Sequence, residues 1–134
     1  MDVKLSTENI RAIVLFEKVT HVSPKDCLIA EHALYFLVEK SEMGMAIGKD
    51  GVNIKQLRRI AGKHIKIFAY ADTAEEFLKN VIPTLKSLDV QDGVVSVTVP
   101  QQDKLTVIGK AGENINAIRA ILKRHFGVET FKLR

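Results

Sequence analysis

The chain contains the same short string twice. Ala46-Ile47-Gly48-Lys49-Asp50-Gly51-Val52-Asn53-Ile54 returns as Val107-Ile108-Gly109-Lys110-Ala111-Gly112-Glu113-Asn114-Ile115, displaced by 61 residues. Aligning Ala46 to His64 with Val107 to His125 without gaps gives nine identities in nineteen positions. An internal repeat of this length means one supersecondary unit built twice. Any fold proposed for the first half therefore has to serve the second.

The repeat dictates how the rest is parsed. Ser6 to Val19 reads as a helix with Ser6 or Thr7 as cap and Ile10, Ile13 and Val14 on one face. Ser23-Pro24-Lys25-Asp26 is a turn. Cys27 to Ala30 and Leu34 to Val38 form a hairpin, with Leu34, Phe36 and Val38 on one face. A short helix over Met43 to Ile47 leads into the glycine turn, a second helix runs from Val52 to Ala61, Gly62 stops it, and His64 to Tyr70 is a strand. Thr73-Ala74-Glu75-Glu76 matches a capping box and opens the next helix, which Pro83 ends or kinks. Asp92-Gly93 is a two-residue hairpin signal between Leu88-Asp89-Val90 and Val94 to Val99. Gln101 to Ile108 is a short helix, Glu113 to Phe126 a longer one, and Val128 to Leu133 the last strand.

Both halves thus read helix, strand, strand, helix, glycine turn, helix, strand, an α+β architecture with domains at 1–71 and 72–134. The apolar set Ile54, Leu57, Ile60 and Ala61 maps onto Ile115, Ile118, Ile121 and Leu122, so both helices are expected to bury the same face. The junction at Ala71-Asp72 holds no Gly, Ser or Pro, which predicts two domains packed as one rigid body. Units of this size bury only about 60% of their unfolded surface and gain by packing together.

Charge follows the repeat. From Gly48 to Lys66 six basic residues face Asp50 alone, from Gly109 to Arg124 four face Glu113, and the remainder of a chain with net charge +4 is acidic. That bias, found twice beside the same turn, points to a polyanion. A Gly-Lys-x-Gly turn suits one: glycine lets the backbone lie against a sugar-phosphate chain, and the turn amides and the next helix N-terminus face the phosphates. Lys49 and Lys110 add charge. This chemistry holds an anion and breaks no bond.

The turn in its helix-turn-helix-strand context resembles the KH domain, whose GxxG loop clamps about four nucleotides of single-stranded nucleic acid. The helix and two strands ahead of each motif resemble the type II ordering, so the fold implied is two type II KH domains in tandem. More closely, Gly44-Met45-Ala46-Ile47-Gly48-Lys49-Asp50-Gly51 and Val107 to Ile115 resemble the tandem KH module of the NusA family of transcription factors, archaeal NusA-like proteins in particular. The resemblance covers almost the whole sequence. It implies single-stranded RNA as ligand and RNA polymerase as partner, in transcription termination or antitermination. The length leaves no room for the S1 domain or the polymerase-binding N-terminal domain of bacterial NusA, so polymerase contact by that route is not expected. A ribosomal or RNA-processing KH protein and a KH-fold scaffold without RNA binding stay open as alternatives.

By the same resemblance the RNA-binding residues are Ile47, Gly48, Lys49, Asp50, Gly51, Ile54, Lys55 and Arg58, then Ile108, Gly109, Lys110, Ala111, Gly112, Ile115 and Arg119. The four isoleucines are candidates for the groove floor, with core packing the competing role for Ile54 and Ile115. Asn53 and Asn114 read as local helix-start hydrogen bonders rather than base readers. Asp50 places a negative charge in the first clamp, weakening phosphate binding or capping the helix, so the second clamp is expected to be the less encumbered.

Other chemistry finds little support. Gly44 to Lys49 is one residue short of a nucleotide-binding P-loop, and Asp50 replaces the hydroxyl residue. Cys27 is the single cysteine, so no internal disulfide or multi-cysteine zinc site is available. His21, His32, His64 and His125 lack ligand spacing, and the repeat-related His64 and His125 read as helix-end cations. No catalytic constellation, metal site or cofactor is expected. Aromatic residues make up 6%, too few for a stacking sheet; the six phenylalanines fit core positions, and Tyr35 and Tyr70 are expected at the surface. No apolar run approaches a membrane span and Met1-Asp2-Val3-Lys4 lacks a signal-peptide pattern, so a cytoplasmic monomer is expected.

Overall fold

The computed structural model describes residues 6–134. The N-terminal tetrapeptide read for a signal peptide lies outside them. The chain divides into two compact units, one ending at Tyr70 and the other spanning Ala71–Arg134.

In the first unit, helix α1 (Thr7–Thr20) is capped by Ser6, whose side chain accepts from the Asn9 amide, and stops at His21 in the left-handed region. Strands β1 (Asp26–Ile29) and β2 (Ala33–Glu39) pair antiparallel, with Cys27 opposite Phe36. Helices α2 (Met43–Ile47) and α3 (Val52–Ala61) follow, then β3 (His64–Tyr70), which returns parallel to β2 with Phe36 opposite Ile67. The sheet order is β1-β2-β3. The three helices cover one face, and the core there joins Ala12 and Phe16 of α1, Leu34, Phe36 and Val38 of β2, Ala46 of α2 and Leu57 of α3. Phe16 and Phe36 stack with centroids 4.2 Å apart.

The second unit repeats the order. Helix α4 (Ala74–Val81) takes its cap from Thr73, which accepts from the Glu76 amide, and ends before Pro83. Strands β4 (Ser87–Gln91) and β5 (Val94–Thr98) are joined by Asp92 and Gly93, both at positive φ, the requirement of a tight hairpin turn. Helices α5 (Lys104–Ile108) and α6 (Glu113–Phe126) lead to β6 (Thr130–Leu133), parallel to β5, giving the order β4-β5-β6. Phe77, Leu78, Val95, Val97, Ile118, Ile121 and Leu122 are buried here.

Several expectations need correction. α6 is 14 residues long and α3 only 10, so the ungapped repeat fails at its end: His64 opens β3, whereas His125 lies in the last turn of α6. Because α3 stops one residue after it, Ile60 is 56% exposed, while its counterpart Ile121 is 1% exposed on a helix that continues to Phe126, which stacks on Phe77. The two helices do not bury the same set. Tyr35 is buried rather than at the surface, on the face of β2 opposite Phe36 and with its ring 5.6 Å from Phe68. No helix is long and apolar enough to cross a membrane among the described residues.

The aromatic pair at the centre of the first unit sets its stability. Phe36→Ala removes a ring that is 0% exposed and is expected to lower the unfolding free energy by about 3–5 kcal/mol, read from urea denaturation.

Candidate nucleic-acid interface

Each glycine turn joins two helices through one tight backbone path. Gly48 stands at φ 80, ψ 164 and Gly109 at φ 77, ψ 172, a region open in practice only to glycine. Gly51 and Gly112 lie in the left-handed region, at φ 72, ψ 20 and φ 72, ψ 11. The residue before each is left-handed too: Asp50 at φ 54, ψ 27 and Ala111 at φ 54, ψ 23. The two turns therefore share one conformation. Each is closed by a bond from the last glycine amide to the first glycine carbonyl, 3.0 Å for Gly51 to Gly48 and 3.1 Å for Gly112 to Gly109.

The glycines differ in what they tolerate. A Cβ on Gly48 would stand 2.9 Å from Cγ of Asn53, and one on Gly109 would stand 2.6 Å from Cβ of Asn114. At Gly51 a Cβ meets nothing within 4 Å, and at Gly112 its nearest neighbour is Nδ2 of Asn116 at 3.8 Å. The first glycine is therefore required by the fold, and the last chiefly by its dihedral.

The middle residues reverse part of the sequence reading. Asp50 gives α3 no side-chain cap, so its role as a helix cap is not found; Gly51 occupies that position. It does suit its backbone, because aspartate enters the left-handed region more readily than alanine. Ala111, expected to leave the second turn unencumbered, instead holds the more costly conformation.

Lys49, Asp50, Lys110 and Ala111 are exposed, and among the described residues no acceptor is found for their amides. Lys55 and Arg58 are exposed on α3, and Arg119 on α6. Arg119 also turns inward, with Nε donating to the Phe131 carbonyl of β6 at 3.4 Å. Beside it lies a groove of about 510 Å³ between α6 and β6, with Arg119, Ala120 and Lys123 on one wall and Val128, Phe131 and Lys132 on the other. Lys123, counted in the sequence only toward the charge bias, and Lys132 are not among the residues expected to bind RNA. Lys123 belongs to the turn by which α6 outlasts α3, a length difference that the ungapped alignment concealed.

The isoleucines separate. Ile47 and Ile108 are half-buried at the ends of α2 and α5, beside the turns. Ile115 is 6% exposed and packs in the core of the second unit; Ile54 packs against the core of the first unit while keeping some exposure. Both sit one turn into a helix, where the apolar stripe faces the sheet. Gly44 lies within α2, so the string resembling a P-loop is helical where a phosphate loop would have to be open.

Residues 10–81 match a family model described as KH domain. The "Probable transcription termination protein NusA" of Methanocaldococcus jannaschii is 31% identical over 137 residues, covering 98% of this chain and 75% of that protein. A protein of the same name from Halococcus morrhuae is 33% identical over 138 residues, covering 99% of each. Among solved structures, the crystal structure of APE1850 has a TM-score of 0.76 and 35% identity, covering 97% of this chain and 100% of that one.

Glycine substitutions are expected to split by position. Gly48→Ala should cost about 3 kcal/mol of stability and Gly51→Ala about 1 kcal/mol. Ala111→Gly should gain about 1 kcal/mol, more than Asp50→Gly gains. Urea unfolding midpoints of the four variants give the order.

Proposed function

The chain belongs to the KH-domain family, and we propose that it is a non-catalytic single-stranded RNA binder that acts with RNA polymerase in transcription termination or antitermination. The observation that carries the RNA-binding part is the matched pair of turns, alike in backbone path and each presenting an exposed lysine. The transcription part rests on the name shared by the relatives, which match nearly the whole chain.

In this reading an RNA strand lays its phosphates against Gly48-Lys49-Asp50-Gly51 and Gly109-Lys110-Ala111-Gly112. The amides donate to phosphate oxygens and the two lysines neutralise charge. Lys55, Arg58 and Arg119 extend the cationic track along α3 and α6. Bases rest on Ile47 and Ile108, and in the second unit enter the groove between α6 and β6, where Lys123 and Lys132 join Arg119. The two clamps cover roughly eight nucleotides, about four each. If one strand reaches both, affinity rises by 10² or more without new contacts.

Two measurements test this reading. Lys49→Asp with Lys110→Asp should abolish most binding to single-stranded RNA, while log affinity of the wild type falls with log salt at roughly 0.7 per phosphate neutralised. Unchanged affinity in the variant rules out the clamps, and no binding by the wild type favours a scaffold. The junction at Ala71-Asp72, without Gly, Ser or Pro, favours mutual support of the two domains. A fragment of residues 1–71 is then expected to unfold at lower urea than the whole chain, and an equal midpoint would exclude mutual support.

A further inference from the structure

Asn53 and Asn114 hold the same position in the two repeats, the second residue of α3 and of α6. Their carboxamides do not serve the helix they start. Nδ2 of Asn53 reaches back to donate to the Met45 carbonyl at 2.9 Å, and Nδ2 of Asn114 donates to the Val107 carbonyl at 2.9 Å. Both acceptors lie in the last turn of the preceding helix, α2 or α5, where carbonyls lack intrahelical partners. The acceptors are not repeat-equivalent, since Met45 stands three residues before Gly48 and Val107 two before Gly109. What recurs is the tie from the outgoing helix to the unpaired end of the incoming one.

The first glycine completes the arrangement. Its missing Cβ is the space the asparagine uses, as the 2.9 and 2.6 Å approaches at Gly48 and Gly109 require. Between glycine and asparagine the backbone passes through left-handed dihedrals at Asp50 and Gly51, or at Ala111 and Gly112. Such a segment is a natural hinge unless its two ends are joined.

We propose that Asn53 and Asn114 are the positioning residues of the two clamps, tying the flanking helices so that the turn amides and Lys49 or Lys110 keep one direction toward a phosphate. The role rests on the reading of the turns as phosphate clamps. Neither side chain touches the RNA. Each lowers the ordering cost that a loose turn would incur on binding.

The test uses the full chain with Asn53→Ala and Asn114→Ala together, the pair Asn53→Asp and Asn114→Asp, which keeps the shape and loses the donor, and Val97→Ala as a core variant with both ties intact. Amide hydrogen exchange at Gly51 and Gly112 should quicken at least tenfold in both asparagine pairs, with β2 and β5 amides unchanged. Affinity for a single-stranded RNA oligonucleotide should fall about tenfold with the salt slope retained, because the same phosphates are still neutralised. Val97→Ala should bind as the wild type does while folded. Unchanged exchange at the two glycine amides overturns the proposal, as does unchanged affinity in a protein whose turns have loosened, or an equal loss in Val97→Ala. A wild type that binds no RNA removes the clamp reading instead, and exchange at Gly51 and Gly112 then decides whether the asparagines hold the turns.

Discussion

A backbone that takes positive φ three times in four residues keeps a single direction only when something beyond the backbone holds it. Here that path runs from Gly48 through Asp50 to Gly51, and again from Gly109 through Ala111 to Gly112. Glycine removes the steric objection at the two ends, but freedom from clash is also freedom to move. The elements around the turn supply the restraint. A helix enters, a helix leaves, and each outgoing helix is seated by buried side chains, Leu57 in the first unit and Ile118 in the second. In each unit an asparagine of the outgoing helix also donates to a carbonyl of the incoming one.

The two halves use one turn under different local costs. In the first, Asp50 tolerates the left-handed conformation and brings a negative charge to a surface that otherwise carries Lys49, Lys55 and Arg58. In the second, Ala111 removes that charge and takes the conformational cost instead. Electrostatics and backbone strain thus trade places between the repeats. The second half also extends α6 beyond the length of α3, which buries Ile121, carries Phe126 to Phe77 and opens a groove beside β6 that Lys123 and Lys132 flank. The same supersecondary unit becomes two surfaces with the same turn and different surroundings.

Much of this was legible in residue order because the signals were local. Asp92-Gly93 names its own hairpin, Thr73 its own cap, and Gly62 its own helix stop, since each acts through dihedrals or bonds within a few residues. The glycine turns were legible for the same reason and doubly so by repetition. Failures came where burial depends on what another element covers. Tyr35 was expected at the surface because alternation along β2 assigns only one face to the core, yet the opposite face is buried as well. Ile60 and Ile121 are alike in sequence and opposite in exposure, because one helix ends where the other continues.

Residue types and spacing by themselves determined the order of elements, the two turns and the positive charge gathered beside them. These are properties of short segments and need no knowledge of what lies across the fold. Tertiary structure alone decided that Ile115 is core and Ile108 is not, that Arg119 reaches back to β6, and that Asn53 and Asn114 bond to the helix before them. Those outcomes depend on directions in space between elements, and a hydrogen bond or a buried side chain is set by that direction rather than by distance along the chain.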